Sequence, residues 1–404
     1  MPSLPLNPSL PLNKVLSEYG TTIFTTMSAL ATAHQAINLG QGFPDTDGPE
    51  DIRAAAAKAL MDGPNQYPPS QGLPELRQAV AAHNARFYGL QVDWRTQVLV
   101  TSGATEAVAA SLLAFLNPGD EVVLFEPMYD CYLPIVQLAG AVARPVRLAP
   151  PAWDLPREAL RAACNDKTKL IMLNSPMNPT GKVFDREALQ FIADLAMQHD
   201  ALVVCDEVYE HLTFDGAPHI PLMTLPGMEG RCIRIGSAGK SFSLTGWKVG
   251  YITAPPALAE IIFKVHQFLT FTTAPNLQRA VAYGLGKDDD YFTGLASEMQ
   301  AKRDLLSGGL RRIGFDILPC QGTYFIAADY TSFARDGEDD TAFCKRITVE
   351  AGVAAVPFSA FSMAAMPGGT ETLPQEKLIR FCFCKQDSVL QDALGRLQRY
   401  LVKG

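Results

Sequence analysis

The sequence predicts an α/β protein: a large domain built on a mostly parallel seven-stranded sheet, joined to a smaller α+β domain. Two observations support this prediction. Between Gln97 and Ala254, short runs rich in Val, Ile and Leu alternate with helical patterns, whereas from about Tyr291 the order of elements changes. Continuous apolar strands separated by helices are typical of a parallel sheet that is covered on both faces.

The large sheet is predicted from seven apolar runs, most of which are flanked by Gly, Pro, Asn or Asp. The runs are Gln97–Thr101, Glu121–Phe125, Val142–Arg147, Lys169–Leu173, Ala201–Cys205, Arg231–Gly236 and Val249–Ala254. Between the first two, Val108, Leu112 and Phe115 recur at the spacing of one helix face. We assign residues 48–290 to this large domain.

The smaller domain is predicted over residues 291–404. A charged helix is followed there by strands and helices at Phe315–Leu318, Thr323–Ala328, Ala342–Ala351, Leu378–Phe383 and Ser388–Leu401. The segment before Leu39 is too short to fold alone, so we expect it to pack with this part. Residues 1–47 are therefore assigned to an N-terminal arm and part of the small domain.

The arm itself repeats a five-residue sequence, because Ser3–Asn7 recurs as Ser9–Asn13. Its prolines exclude a helix and favour an extended chain. Two interpretations remain open. The stretch is a disordered tail, or it lies across a partner subunit that buries its leucines.

Composition excludes several classes of partner. The chain has 404 residues, of which 48% are hydrophobic and 19% charged, and its formal net charge is −8. General binders of nucleic acid or of anionic membranes are usually basic, so we expect neither partner. No apolar run reaches the roughly 18 residues of a membrane helix.

The eight cysteines show no C-x-x-C pair and no spacing typical of metal ligands, so no metal site is predicted. Cys205, Cys382 and Cys384 lie in apolar runs, which predicts core positions. The N-terminus lacks the pattern of a signal peptide. These observations predict a cytoplasmic protein with reduced cysteines.

Candidate functional residues follow the predicted strands, because ligands of open α/β sheets bind at the carboxyl ends of strands. After Gln97–Thr101 comes Ser102–Ala107, rich in small residues, at the start of a helix. Its backbone N–H groups could approach an anion, helped by the helix dipole. The alternative is ordinary helix capping with Glu106 in the first turn.

Three further strand ends carry polar groups. Asn178 lies in a turn with two prolines, and either this turn aims its amide or it is a structural Asx turn. Asp206, Glu207 and Tyr209 follow a buried strand, where unpartnered acids are costly. A metal site is conceivable there, but no His or Cys ligands accompany the acids. Lys240 follows the next strand.

Together these strand ends bring a lysine, an acid, a phenol, an amide and an anion cradle to one sheet. A lysine amine forms a Schiff base with a carbonyl, and an acid is the natural partner of a pyridinium nitrogen. The combination predicts a site for pyridoxal 5′-phosphate (PLP).

At these residues the sequence resembles the class I aminotransferases of the aspartate-aminotransferase fold. Within them it is most similar to the kynurenine, glutamine and methionine aminotransferase branch. The motifs are Ser237–Lys248, Asn38–Asp45 and Glu126–Tyr132, and the resemblance runs from about Ile37 to the C-terminal helix. It implies PLP-dependent fold type I.

The resemblance implies catalytic roles for Lys240, Asp206 and Tyr209. Lys240 should hold PLP as a Schiff base and then move the proton between the substrate Cα and the cofactor. Asp206 should pair with the pyridine nitrogen. Tyr209 and Asn178 should bond the 3′ oxygen of the ring, on which Tyr129 should stack.

The resemblance also implies the binding groups. The cofactor phosphate should be held by Gly103, Ala104, Thr105, Ser237, Lys248 and, from the neighbouring subunit, Tyr67. Many family members have arginine in place of Lys248, which loosens this anchor. Arg380 should fork onto the substrate α-carboxylate, a geometry that lysine cannot copy, with Gly42 and Asn178 beside it.

The implied activity is transfer of an amino group from an L-amino acid to a 2-oxo acid by a ping-pong mechanism in a homodimer. Tyr19, Ile23 and Phe24 are expected to border the side-chain pocket, which favours a methionine-, glutamine- or aromatic-like donor.

Other activities remain open. One is N-succinyl-diaminopimelate transamination, which would need an extra cation, from Lys14 or from an arginine of the partner subunit. Another is β-elimination of cysteine conjugates at the same lysine. A PLP-binding transcription regulator is disfavoured by the acidic charge and by the short stretch before Ile37.

Overall fold

The structure, a computed structural model, describes residues 12–367 and 376–402. Most of the repeated arm sequence, up to Pro11, lies outside the described residues. Within them the strands are, in chain order, β1 Ile37–Asn38, β2 Val98–Thr101, β3 Glu121–Glu126, β4 Val142–Arg147, β5 Thr168–Asn174, β6 Leu202–Asp206, β7 Cys232–Ser237, β8 Gly250–Thr253, β9 Asp316–Ile317, β10 Phe325–Asp329, β11 Val353–Ala354, β12 Val356–Pro357 and β13 Leu378–Cys382.

The helices are named in the same way. They are α1 Ile23–Ala33, α2 Glu50–Asp62, α3 Pro74–Tyr88, α4 Trp94–Gln97, α5 Ala104–Phe115, α6 Tyr132–Leu138, α7 Arg157–Ala163, α8 Arg186–Gln198, α9 Ala238–Ser241, α10 Pro256–Leu269, α11 Pro275–Leu285, α12 Asp289–Ile313, α13 Asp340–Arg346 and α14 Asp387–Leu401. A single π turn, Ile347–Ala351, continues α13, so the helix predicted over Ala342–Ala351 changes its winding halfway.

All seven strands predicted for the large sheet form one sheet, in the order β2-β8-β7-β6-β5-β3-β4. Strands β3 to β7 run parallel, and β8 is antiparallel to both of its neighbours, β7 and β2. Because β2 therefore runs with β7, the carboxyl ends of six strands meet at one edge. The chain turns to opposite sides of β3 to form β4 and β5, a switch in strand order of the kind at which open α/β sheets bind ligands.

Alternation along the central strands explains why both faces are covered. In β5, Leu170 and Met172 face the core shared with α5, whereas Ile171 and Leu173 face the core shared with α8. Successive side chains of a strand point to opposite faces, so an uninterrupted apolar run fills two cores. Cys205 lies in the second of these cores, as its apolar context predicted.

The C-terminal part forms a second sheet, antiparallel, in the order β12-β13-β10-β9. The N-terminal segment packs with this part of the chain. Strand β1 pairs in parallel with β11 in a separate two-stranded sheet, and the N–H of Cys382 donates to the carbonyl of Leu39 at 2.7 Å. Cys382 and Cys384 are buried in the hydrophobic core that this sheet helps to form. The domain boundaries at 47 and 290 stay predictions, and the second falls in the first turn of α12.

No helix among residues 12–367 and 376–402 is long and apolar enough to cross a membrane.

Candidate active site

A cavity of about 300 Å³ opens at the carboxyl edge of the large sheet. It is lined by twelve of the residues predicted for the site: Gly42, Gly103, Ala104, Thr105, Tyr129, Asn178, Asp206, Tyr209, Ser237, Lys240, Lys248 and Arg380. A larger cavity of about 580 Å³, near Trp153 and Asp340, contains none of them. The strand ends therefore converge as the sheet topology predicts.

Tyr67 is the predicted site residue that does not reach this cavity. Its side chain is 83% exposed and packs edge-on against Phe271, with ring centroids 5.3 Å apart.

The anion cradle forms at the start of α5. Gly103 has a φ of +83°, and a Cβ there would lie 3.0 Å from Cε and 3.1 Å from Nζ of Lys248. A side chain would thus displace the lysine, and the first-turn N–H groups of Ala104 and Thr105 have no partner within the helix. The capping alternative is also realised, one residue earlier: Glu106 accepts from the N–H of Ser102 at 2.9 Å.

Asp206 ends β6 as a buried carboxylate. The hydroxyl of Tyr132 donates to its Oδ2 at 2.6 Å, and the N–H of Val208 donates to Oδ1 at 3.4 Å. Burial raises the pKa of Asp206, while these two hydrogen bonds and the nearby Lys240 act against that rise. Tyr132 lies in the Glu126–Tyr132 motif, yet no sequence pattern predicted its contact with the acid.

Lys240 lies in α9, directly after β7. Its Nζ donates to the hydroxyl of Tyr324 at 2.7 Å. Burial lowers the pKa of the Lys240 amine, which favours its neutral, basic form. Tyr324 belongs to a run that was predicted as a small-domain strand, and no local pattern assigned it to the site.

Arg380, on β13, is clamped by polar and aromatic contacts. Its Nη1 donates to Oδ1 of Asn178 at 2.8 Å, and its Nη2 donates to the carbonyl of Gly40 at 2.7 Å. Its guanidinium lies 3.8 Å from the ring centroid of Phe325. Its Nε is buried without a hydrogen-bond partner among the described residues, so the fork retains a donor for an anion.

Asn178 makes both a backbone hydrogen bond that stabilises its turn and a side-chain hydrogen bond toward the cavity. Its side chain accepts from Arg380, and its backbone N–H donates to Oδ1 of Asn174 at 2.8 Å. Asn174 in turn donates to the backbone carbonyl of Asp206 at 2.8 Å. The structural turn therefore fixes the amide that contacts the arginine.

Of the three residues expected to border the side-chain pocket, Phe24 lines the cavity. Tyr19 instead donates its hydroxyl to Gln137 at 2.6 Å, and Ile23 packs against the main core. Asp130, which the sequence did not single out, lines the cavity beside Tyr129.

Glu207 lies outside the cavity lining, in a buried ion network. Nε of Arg234 donates to its Oε2 at 2.6 Å, and His219 lies 3.0 Å from the same oxygen. Arg234 also pairs with Glu210. The partners of Glu207 are therefore Arg234 and His219, which lie on later segments of the chain.

The residues around the cavity fit PLP and an amino-acid substrate group by group. The amine suits the cofactor carbonyl, the buried acid suits a pyridinium nitrogen, the cradle suits a phosphate, and the orphaned guanidinium donor suits a carboxylate. The fold and this site define a PLP-dependent enzyme of amino-acid chemistry. The chain belongs to the family of class I and II aminotransferases, whose profile matches residues 34–397.

Known relatives agree. A probable N-succinyldiaminopimelate aminotransferase of Mycobacterium tuberculosis is 44% identical, over 95% of this chain and 96% of the relative. A kynurenine–oxoglutarate transaminase of Dictyostelium discoideum is 38% identical, over 95% of each chain. The crystal structure of a methionine aminotransferase of Escherichia coli superposes with a TM-score of 0.91 at 39% identity, covering 96% of this chain and 100% of that one.

These findings confirm the predicted family, the predicted fold type and the predicted cofactor. The protein is a PLP-dependent aminotransferase.

Proposed function

We propose that this aminotransferase takes its amino group from an L-amino acid with an uncharged side chain, methionine-, glutamine- or aromatic-like, and gives it to a 2-oxo acid at the same site. The supporting observation is the charge of the cavity. Its described cationic side chains are Lys240, Lys248 and Arg380. In the proposed site, Lys240 is assigned to the cofactor carbonyl, Lys248 to the cofactor phosphate and Arg380 to the substrate α-carboxylate. None is left for a second substrate carboxylate.

The remaining lining supports the same preference. Phe24 and Phe325 offer apolar surface. Asp130 adds a carboxylate whose pKa is raised by burial and lowered by Arg380. A donor with an acidic side chain would meet this carboxylate, at a cost in charge repulsion.

Bound PLP supplies a carbonyl that condenses with amines and a ring that accepts the electron pair left when the substrate Cα–H bond breaks. Asp206 would hold the proton on the ring nitrogen. The N–H groups of Gly103 to Thr105, with Ser237 and Lys248, would bind the phosphate, while Tyr129 would stack on the ring.

The remaining predicted site residues complete the proposed mechanism. Arg380 and Asn178 would orient the α-carboxylate, with Gly42 beside them, and Tyr209 would bond the 3′ oxygen. Lys240, whose pKa is lowered by burial, would take the proton from Cα and return it to the cofactor carbon. Since donor and acceptor share Arg380, the two half-reactions would alternate in a ping-pong cycle.

N-succinyl-diaminopimelate is the second candidate donor, because the relative of that name is 44% identical. Its distal carboxylates need a further cation. Lys14 is exposed and is absent from the described lining of the cavity. This alternative therefore requires a cation from a partner subunit.

The proposed assembly is a homodimer with Tyr67 reaching the partner's phosphate site. Its support is an exposed apolar surface: Met61, Tyr67 and Phe268 are each more than four-fifths exposed. A second copy of the chain would cover them. The proposed location is the cytoplasm, because all eight cysteines are unpaired.

The test is a donor panel without any 2-oxo acid, read from the visible absorption of the PLP-loaded enzyme. Methionine, glutamine, phenylalanine and kynurenine are expected to change the spectrum faster than succinyl-diaminopimelate. Lys240→Ala should abolish turnover, measured as release of the 2-oxo acid from the donor. A faster response to succinyl-diaminopimelate would overturn the substrate proposal. Pyruvate and ammonia released from cysteine conjugates, with no spectral change for any donor, would favour the lyase alternative.

A further inference from the structure

Tyr324 links three separate segments of the chain at the cavity. It directly precedes β10, and its side chain is 2% exposed. Its hydroxyl lies 2.7 Å from Nζ of Lys240 and 2.6 Å from the backbone carbonyl oxygen of Gly42. The lysine comes from α9, which follows β7 of the large sheet. The glycine comes from the loop after β1, and the tyrosine is the residue directly before β10 of the second sheet.

The direction of the two hydrogen bonds follows from the atoms involved. A tyrosine hydroxyl has one proton to donate, and a carbonyl oxygen can only accept. Tyr324 must therefore donate its proton to the backbone carbonyl oxygen of Gly42. Toward Lys240 its oxygen acts as an acceptor, so the amine must donate an N–H. The lone pair of the neutral amine takes no part in this bond.

Other groups surround the amine without bonding it. The charged and titratable neighbours that face Lys240 are Asp206, Tyr209, Arg380, Cys382 and Cys384. Among the described residues, the bond to Tyr324 is the hydrogen bond that this amine makes. Tyr324 itself is held by rings, because Tyr209 and Phe325 pack against it with centroids 5.1 and 4.8 Å away.

We infer that Tyr324 is a positioning residue for Lys240: fixed as an acceptor by Gly42, it holds the free amine by one N–H and leaves the lone pair available to take the substrate proton. This inference rests on the proposed proton-transfer role of Lys240. It gives the segment that leads into β10 a direct part in placing the proposed base, which follows β7.

Tyr324→Phe removes the acceptor and keeps the ring that packs on Tyr209 and Phe325. We expect kcat to fall by up to about 100-fold, the loss that follows a misplacement of about 1 Å in a reacting group, with little change in KM. The deuterium isotope effect for a donor labelled at Cα should rise, because proton transfer becomes slower than the other steps. Tyr330→Phe is the matched control, since that buried hydroxyl lies 3.5 Å from the carbonyl of Glu338.

A second readout uses the cofactor-free protein. The rate at which an amine-directed reagent such as acetic anhydride modifies Lys240 is followed against pH by peptide mass spectrometry. An acceptor stabilises the protonated amine, so its removal should lower the pKa of Lys240 and move the modification curve to lower pH. Tyr330→Phe should leave the curve unchanged.

The outcomes separate the inference from the proposed function. An unchanged isotope effect and an unmoved modification curve in Tyr324→Phe would overturn the inference, whatever happens to kcat. If no donor transfers its amino group to the wild-type enzyme, the proposed substrate class fails instead. The modification curve still measures the contact between Tyr324 and Lys240 in that case.

Discussion

The hydroxyl of Tyr132 donates a 2.6 Å hydrogen bond to Oδ2 of Asp206, the buried acid at the end of β6. Tyr132 begins α6, after β3, so the contact joins two strand ends of the large sheet. Burial alone would favour the neutral form of Asp206, and a donated hydrogen bond favours the charged form. Tyr132 therefore favours the charged form of Asp206, which the proposed pairing with a pyridinium nitrogen would require.

We predict that Tyr132→Phe weakens PLP binding. A hydrogen bond to a charged group contributes about 1.5–3 kcal/mol, so the dissociation constant should rise by about 10- to 100-fold. Equilibrium dialysis of PLP against the purified protein measures it. Tyr88→Phe is the control, because it removes a 2.7 Å bond to another buried carboxylate, Glu210. Equal affinity in the Tyr132 variant and the wild type would contradict the prediction.

Arg380→Lys should impair the donor half-reaction while PLP still binds. Lysine keeps the charge but loses the planar fork, including the Nε that lacks a partner in the described structure. We expect kcat/KM for the amino donor to fall by about 10- to 100-fold, the range for one lost charge-assisted hydrogen bond. Arg144→Lys is the control, since Arg144 forks onto Glu121 outside the cavity lining. An unchanged kcat/KM would remove Arg380 from its proposed role.

Tyr67→Phe tests whether the site is shared between subunits. If its exposed hydroxyl bonds the partner's phosphate, the variant should release PLP about 10-fold faster on dilution, without a change in oligomeric state. Gel filtration and the decay of the cofactor absorption measure the two quantities. Tyr283→Phe, another exposed tyrosine with a 3.1 Å bond to Asp51, should behave as wild type. Identical release rates would count against this role of Tyr67.

The sequence predicted the parts of the molecule that local patterns encode. The run Lys169–Leu173 became β5 Thr168–Asn174, because an apolar strand must fill two cores whatever its neighbours are. Residues at strand ends converged because parallel strands share one edge.

Contacts between side chains that are far apart along the chain were not predicted from the sequence. Tyr132 and Asp206 are 74 positions apart, and Lys240 and Tyr324 are 84 positions apart. No periodicity or turn chemistry relates residues at such separations. Tyr67 illustrates the converse case, because its proposed partner belongs to a second copy of the chain.

The pair formed by His83, which is buried, and His211, which is half-buried, should make stability depend on pH. Their Nε2 atoms are 2.7 Å apart, and burial lowers the pKa of His83 to about 4 and that of His211 to about 3. Unfolded histidine titrates near 6.5, so below that pH the unfolded chain binds more protons. This contribution to the free energy of unfolding is therefore complete above about pH 6.5 and is lost as the pH falls toward 4.

His83→Gln should reduce the difference between urea midpoints at pH 7 and pH 5, whereas His34→Gln, at an exposed position, should leave it as in the wild type. An undiminished difference in His83→Gln would show that His83 does not drive this dependence.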